Sequence, residues 1–176
     1  NNSVTTSKNS RRNWPSNKFL LAKRILMVCL GNICRSPLAD GLLLRKIKER
    51  NLNAQVDSAG TANYHIGKAP DSRMIKTAAK FGTSIEFLRA RQFTAQDFQN
   101  FDHILVMDQS NYSNVIALAQ TEADQKKVNF FLDYLYPNQK SEVPDPYYGT
   151  LKDFEAVYQL VDEATDALIQ KLFHEQ

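Results

Sequence analysis

One segment restricts the architecture of this chain more than any other. RILMVCL, residues 24–30, is followed at once by Gly31-Asn32 and a few residues later by Ser36-Pro37. An apolar run without polar alternation suits a strand buried on both faces, as in a parallel sheet covered by helices. Gly-Asn ends such a strand, and a hydroxyl residue followed by Pro opens a helix, with Ser36 expected at the N-cap and Pro37 at the first helical position. Leu38, Leu42 and Ile47 keep an apolar face through Arg50, and Lys46, Lys48 and Arg50 suit the C-terminal end of that helix.

The same alternation continues along the chain. AQVDSAG (54–60) reads as a second strand, and Pro70-Asp71 leads into a helix over 72–81 closed by Gly82. FDHILVMD (101–108) reads as a third strand, QSNYSNVIALA (109–119) as a helix and KVNFF (127–131) as a fourth strand. A long amphipathic helix over 151–173 closes the chain. Four strands interleaved with helices predict an α/β fold, an open, mostly parallel four-stranded sheet with right-handed crossovers and helices on both faces. Ligands of such sheets sit at the C-terminal strand ends, so CLGNICRSP, the first strand-to-helix turn, is the expected site.

The length of 176 residues suits one domain. The net charge of +3 is too small to argue for nucleic acid or an anionic membrane as partner, but it is unevenly spread. Residues 1–24 contain six bases and no acid, whereas the 16 remaining bases face 19 acids and leave −3. Residues 1–23, rich in Asn, Ser and Thr, lack the apolar content to offset ordering and are expected to form a flexible basic arm before a single domain at 24–176. Two cysteines and three scattered histidines give neither a disulfide framework nor a zinc spacing, which favours a reducing, cytoplasmic setting. FLLAKRILMVCL is interrupted by Lys23 and Arg24 and is too short to span a bilayer. Arg11-Arg12 lacks the apolar stretch that a secretory signal requires.

Within the first turn, Cys29 and Arg35 are separated by five residues. A loop running from strand end to helix start can bring the thiol beneath an anion, with the guanidinium beside it and helix N–H groups aimed inward. Such a field lowers a cysteine from about 8.5 into the range of roughly 3.5 to 7.5. Arg35 offers a planar fork for two phosphoryl oxygens. On spacing alone, a buried strand-end cysteine is an equally good account of Cys29. Cys34 reads either as a small core residue or as a resolving thiol. A thiolate attacking phosphorus needs an acid for the leaving oxygen. Asp145, between Pro144 and Pro146, is presented on a stiff segment, though a proline-flanked turn explains it as well.

At these residues the chain resembles the low-molecular-weight protein tyrosine phosphatases. VCLGNICRSP (28–37) matches that family's phosphate loop and DPYYG (145–149) its acid loop, with DSAGT (57–61), ARQ (90–92) and Met107-Asp108 in family order between them. The resemblance implies a flavodoxin-like fold and hydrolysis of phosphotyrosine or other aryl phosphate monoesters through a cysteinyl-phosphate, without metal or cofactor. By position it implies Cys29 as nucleophile, Arg35 as phosphate clamp and Asp145 as general acid. Leu30, Gly31, Asn32, Ile33, Cys34 and Ser36 would bind phosphate, with Asn32 shaping the loop and Ser36 serving the thiolate. Tyr64, Tyr147 and Tyr148 would line the slot for the aryl ring. Where many members carry His, two residues before the Ala of ARQ, this chain has Leu88. The basic arm lies outside the family pattern.

The main alternative is a protein arginine phosphatase, which shares both motifs. Against it stands Ile33, where enzymes resembling those phosphatases carry Thr. A thioredoxin-coupled arsenate reductase needs more cysteines than Cys29 and Cys34, and a non-catalytic phospho-ligand binder needs no nucleophile or acid.

Overall fold

A computed structural model describes residues 22–175. The expected arm lies outside the described residues apart from Ala22 and Lys23, and Lys23 is already the first residue of the first strand. Strand β1 spans Lys23–Cys29, followed by α1 (Arg35–Glu49), β2 (Ala54–Gly60) and α2 (Ser72–Lys80). Then come α3 (Asp97–Asn100), β3 (His103–Val106), α4 (Gln109–Ile116), α5 (Glu122–Lys126), β4 (Val128–Phe130) and α6 (Leu151–Ile169). The strands pair in parallel in the order β2-β1-β3-β4.

Strand order reverses at β1, which has β2 on one side and β3 on the other. The C-terminal end of β1 is therefore the crevice where such sheets hold ligands. The apolar run of β1 is sorted by strand periodicity. Ile25, Met27 and Cys29 join the core beneath α1, α2 and α6, where Leu38, Leu42, Met74, Phe154 and Val161 pack. Leu26 and Val28 face the opposite core with Phe98, Val115 and Phe130. Both faces of the sheet are covered, as a continuous apolar strand requires.

The flavodoxin-like expectation holds, with local corrections. Helix α1 begins at Arg35 with Cys34 at its N-cap position and no side-chain cap. Ser36 is not the cap, because its hydroxyl is turned under the preceding loop toward Cys29 and Asn32. Strand β3 stops at Val106, since Asp108 leaves the sheet to cap α4 by accepting from Asn111 N–H at 2.8 Å. α2 ends one residue early at Lys80, with Gly82 at φ +84° accommodating the turn. The short helices α3 and α5 and the 3-10 turn Phe131–Tyr134 were not expected, being too brief to show periodicity.

At the far end of the sheet, His103 opens β3 beside Asp102, which Arg24 holds at 2.9 Å. Burial pushes the His103 imidazole below its ordinary value, with Lys23 adding to the effect and Asp102 opposing it. The folded state thus binds this proton less well than the unfolded chain does. The stability His103 contributes is complete above the ordinary value of 6.5 and is lost as pH falls below it. In denaturant titrations from pH 7.5 to pH 5, His103→Gln is expected to decline less steeply than the parent; identical slopes would remove His103 from the acid sensitivity.

Candidate active site

The site is the loop 29–35 that joins β1 to α1. Three of its carbonyls are bound on the outer side: Cys29 by Thr61 N–H at 2.9 Å, Leu30 by Ala62 N–H at 2.9 Å and Ile33 by Asp71 N–H at 2.8 Å. In a trans peptide the N–H points opposite the carbonyl, so the amides of Leu30, Gly31 and Cys34 turn toward the concave side. With the N-terminus of α1 behind them, they make an anion cradle.

Asn32 is the hinge of this loop, with φ +56° and 2% exposure. Asn tolerates the left-handed region better than most residues because its short amide can satisfy nearby groups. Here its Nδ2 donates to Ser36 Oγ at 2.8 Å and its Oδ1 accepts from Arg91 N–H at 3.0 Å. Ser36 Oγ lies 3.0 Å from Cys29 Sγ. Gly60, at the end of β2, supports the loop from below: a Cβ there would lie 2.7 Å from the Leu30 carbonyl oxygen and 3.1 Å from Asn32 N. Gly60→Ala must displace the cradle, and a shift of about 1 Å costs on the order of 10² in kcat/KM. Turnover of an aryl phosphate alongside a melting curve checks this; wild-type turnover would mean that the loop yields without penalty.

Arg35 is 3% exposed and pinned from behind, its Nη1 donating to Asp108 Oδ2 at 2.7 Å and to the Val143 carbonyl at 3.1 Å. Burial works against its charge, yet Cys29, Asp108 and Asp145 outweigh burial and hold the guanidinium above its ordinary value. Nη2 points into the site, 3.6 Å from Asp145 Oδ2. Asp145 Oδ1 accepts from Tyr147 N–H at 3.1 Å, and the segment before it is tied to the sheet by Val143 N–H on the Met107 carbonyl at 2.8 Å.

These groups line a cavity of about 330 Å³. Of the expected residues, Cys29, Leu30, Gly31, Ile33, Cys34, Arg35, Tyr64, Asp145, Tyr147 and Tyr148 border it. Asn32 and Ser36, expected among the phosphate contacts, do not border it: their side chains turn away from the cavity and bond to each other at 2.8 Å. Tyr147 and Tyr148 meet edge to face, their centroids 4.9 Å apart, and Tyr148 is almost fully exposed. Burial pushes the Cys34 thiol up, with Asp71 adding to it, so Cys34 stays protonated beside Cys29. Leu88 is buried and brings no polar atom to the loop.

Sequence reasoning missed four contributors. His65 borders the cavity, its imidazole lying where a Cβ on Gly31 would fall 3.0 Å from Cδ2. Its only signal was adjacency to Tyr64. Arg73 stands over the rings of Tyr147 and Phe154, its guanidinium carbon 5.4 Å and 4.6 Å from their centroids. The anchors of Arg35 come from elsewhere in the chain, Asp108 from the N-cap of α4 and Val143 from the loop before α6, and only Asp108 stood in a quoted motif. Among the described residues no three His, Cys, Asp or Glu side chains converge to hold a metal ion, and no helix is long and apolar enough to cross a membrane.

Fold and site together define an α/β protein whose cysteine and arginine share one anion cradle at the switch point of a parallel sheet. The family model for low molecular weight phosphotyrosine protein phosphatases matches residues 24–176. A human protein of that name is 38% identical over 152 residues, covering 85% of this chain and 95% of its own. The fission yeast protein of the same name is 39% identical over 143 residues, 79% of this chain and 90% of its own. Among solved structures, an Entamoeba histolytica protein tyrosine phosphatase superposes with a TM-score of 0.81 at 37% identity, covering 87% of this chain and 98% of the other. Vibrio vulnificus Wzb, in complex with benzylphosphonate, gives 0.76 at 32% identity, with coverage of 86% and 99%. The chain belongs to the low molecular weight phosphotyrosine protein phosphatase family.

Proposed function

We propose that this protein hydrolyses phosphotyrosine in proteins, with residues 24–176 as the catalytic unit and Cys29, Arg35 and Asp145 as its working groups. The observation that carries this reading is the disposition of one thiol, one pinned guanidinium and one loop carboxyl around a single anion cradle. The phosphoryl oxygens take the inward N–H groups and the Arg35 fork, competing with Asp145 for Nη2. Cys29 sulfur then attacks phosphorus, the S–P bond forms as the P–O(aryl) bond breaks, and Asp145 gives its proton to the leaving phenoxide. In the second step water attacks the cysteinyl-phosphate, Asp145 takes a proton back, and the S–P bond breaks to return the thiolate and release phosphate.

The aromatic walls supply the substrate preference. Tyr64 and Tyr147 line the same cavity as Cys29 and both are exposed, which suits a flat phenyl ring carrying its phosphate down to Cys29. An aliphatic phosphoserine is too short to reach. That Wzb, of the same fold, holds benzylphosphonate supports an aryl ligand in this slot. Ile33, half-buried on the loop, offers apolar bulk beside the phosphoryl group and no hydroxyl to assist a guanidinium. We therefore place phosphotyrosine ahead of phosphoarginine. The test is kcat/KM for matched phosphotyrosine and phosphoarginine peptides with the parent and Ile33→Thr. Wild type is expected to favour phosphotyrosine by at least about tenfold, or ~1.4 kcal/mol, and Ile33→Thr to narrow the ratio. Preference for phosphoarginine, or a ratio unmoved by the substitution, would overturn the specificity argument.

A further inference from the structure

Beneath the loop, on the side away from the cavity, Arg91 is held between two carboxylates. Its Nε lies 3.1 Å from Asp57 Oδ2, while Nη1 and Nη2 reach Asp97 at 3.1 and 3.0 Å. Both acids are themselves fixed. Asp97, 3% exposed, also accepts from Thr94 N–H at 2.9 Å, and Asp57 accepts from Ser58 N–H at 2.8 Å. The Arg91 carbonyl accepts from Gly60 N–H at 2.8 Å, so both its main chain and its side chain are held. None of the three charged residues borders the cavity. The proposed chemistry makes no direct use of them.

Their reach into the site is through one backbone group. Arg91 N–H meets Asn32 Oδ1 at 3.0 Å, and a backbone N–H can only donate. This contact therefore fixes which way the Asn32 amide faces: oxygen toward Arg91, NH₂ toward Ser36. Ser36 Oγ, accepting from Nδ2 at 2.8 Å, has one proton left to give. Two acceptors compete for it, Cys29 Sγ at 3.0 Å and the Ala59 carbonyl at 3.4 Å. The closer is the sulfur. A hydroxyl proton directed at sulfur stabilises thiolate over thiol, and in a buried site that contact is strong.

We propose that Asp57, Arg91 and Asp97 are positioning residues for the nucleophile: they hold the Arg91 N–H that sets the Asn32 amide, and thereby direct the Ser36 proton onto Cys29 Sγ. The inference rests on Cys29 being the nucleophile. It assigns to an ion-pair cluster outside the pocket control over how readily the sulfur reacts below neutral pH. The other titratable or charged groups that line the cavity with Cys29, namely Cys34, Arg35, His65, Asp145 and the three tyrosines, are left unchanged by a substitution in the cluster.

The experiment measures capture of Cys29 by iodoacetamide at pH 6 and pH 9, followed by mass spectrometry at that residue, with kcat and KM on a phosphotyrosine peptide. Asp97→Asn and Asp57→Asn are compared with Ser36→Ala, the double variant Asp97→Asn/Ser36→Ala, and Asp162→Asn. Asp162 pairs with buried Lys46 at 2.7 Å on the α1–α6 side, so its loss reports an ion pair of purely structural consequence. Asp97→Asn is expected to slow capture at pH 6 about tenfold, the scale of one charge-assisted hydrogen bond, and at pH 9 by less than about twofold. Its kcat should fall more than its KM rises. Ser36→Ala should show the same pattern, the double variant should add nothing to it, and Asp162→Asn should lower the melting temperature without changing the pH 6 to pH 9 ratio. If Asp97→Asn fails to fold, Asp57→Asn, which removes one arm of the bracket, decides the matter. An unchanged ratio in folded bracket variants overturns the proposal, as do additive losses in the double variant or an unchanged ratio in Ser36→Ala. Should the parent itself turn over substrate while Cys29 resists capture at both pH values, the reading of Cys29 as nucleophile falls, and the bracket's role with it.

Discussion

Cys29→Ser is expected to abolish turnover, by at least about 10⁴-fold, while inorganic phosphate still binds. The two halves of this result have different origins. Turnover needs a nucleophile that is charged near neutral pH, and a serine hydroxyl in the same place keeps its proton. Binding depends on the cradle, which is made of backbone N–H groups and the Arg35 fork, and the substitution touches neither. The loop should survive it, since Ser36 Oγ can bond to an oxygen as it does to sulfur, and Asn32 remains held from Arg91. Arg35 keeps its anchors on Asp108 and Val143. Steady-state kinetics on an aryl phosphate, with phosphate binding by calorimetry, read out both halves. Activity within tenfold of the parent would exclude Cys29 as nucleophile, and loss of phosphate binding would show that the sulfur is part of the cradle.

The parts of this site that could be read in the sequence are those built within one short segment. Cys29, the turn at Gly31-Asn32 and Arg35 lie on a single strand-to-helix loop, and the buried strand before them announces where the loop sits in the sheet. Asp145 stood out between two prolines, but only the resemblance of DPYYG to the family's acid loop pointed to it as an acid. The helix starts two residues earlier than Ser36-Pro37 implies, for an instructive reason. Ser36 was given its ordinary work as a cap, whereas its hydroxyl is committed to the sulfur, leaving α1 without a side-chain cap. What the sequence concealed is tertiary. Asp108 looked like the end of a strand and instead divides its two oxygens between α4 and Arg35. Gly60 showed no turn signal, since it is required by the closeness of the phosphate loop rather than by its own dihedral angles. The bracket around Arg91 joins residues 57, 91 and 97, and its effect on Cys29 passes through a main-chain N–H that no side-chain motif records.

Asp145→Asn is expected to lower kcat/KM by about 10² to 10⁴ for a phenol of high pKa, and by much less for an activated leaving group such as a nitrophenol. The argument turns on what the carboxyl supplies. Asparagine keeps an oxygen that can accept from Tyr147 N–H, so the loop retains its shape. Its amide loses the 3.6 Å ion pair with Arg35 Nη2, but that contact is half exposed on the Asp145 side and worth little. Arg35 itself stays pinned, so substrate binding should change slightly. The step that suffers is protonation of the departing oxygen. A poor leaving group cannot depart without that proton, whereas an electron-poor phenoxide can. Because kcat/KM reports events only through the first irreversible step, it separates this loss from any slowing of cysteinyl-phosphate hydrolysis, for which the proposed mechanism uses Asp145 as base. That second effect should appear as a burst of phenol release with the activated substrate, followed by a reduced steady rate. Equal losses in kcat/KM for the two leaving groups would move the acid role away from Asp145, even with the cradle and Cys29 left in place.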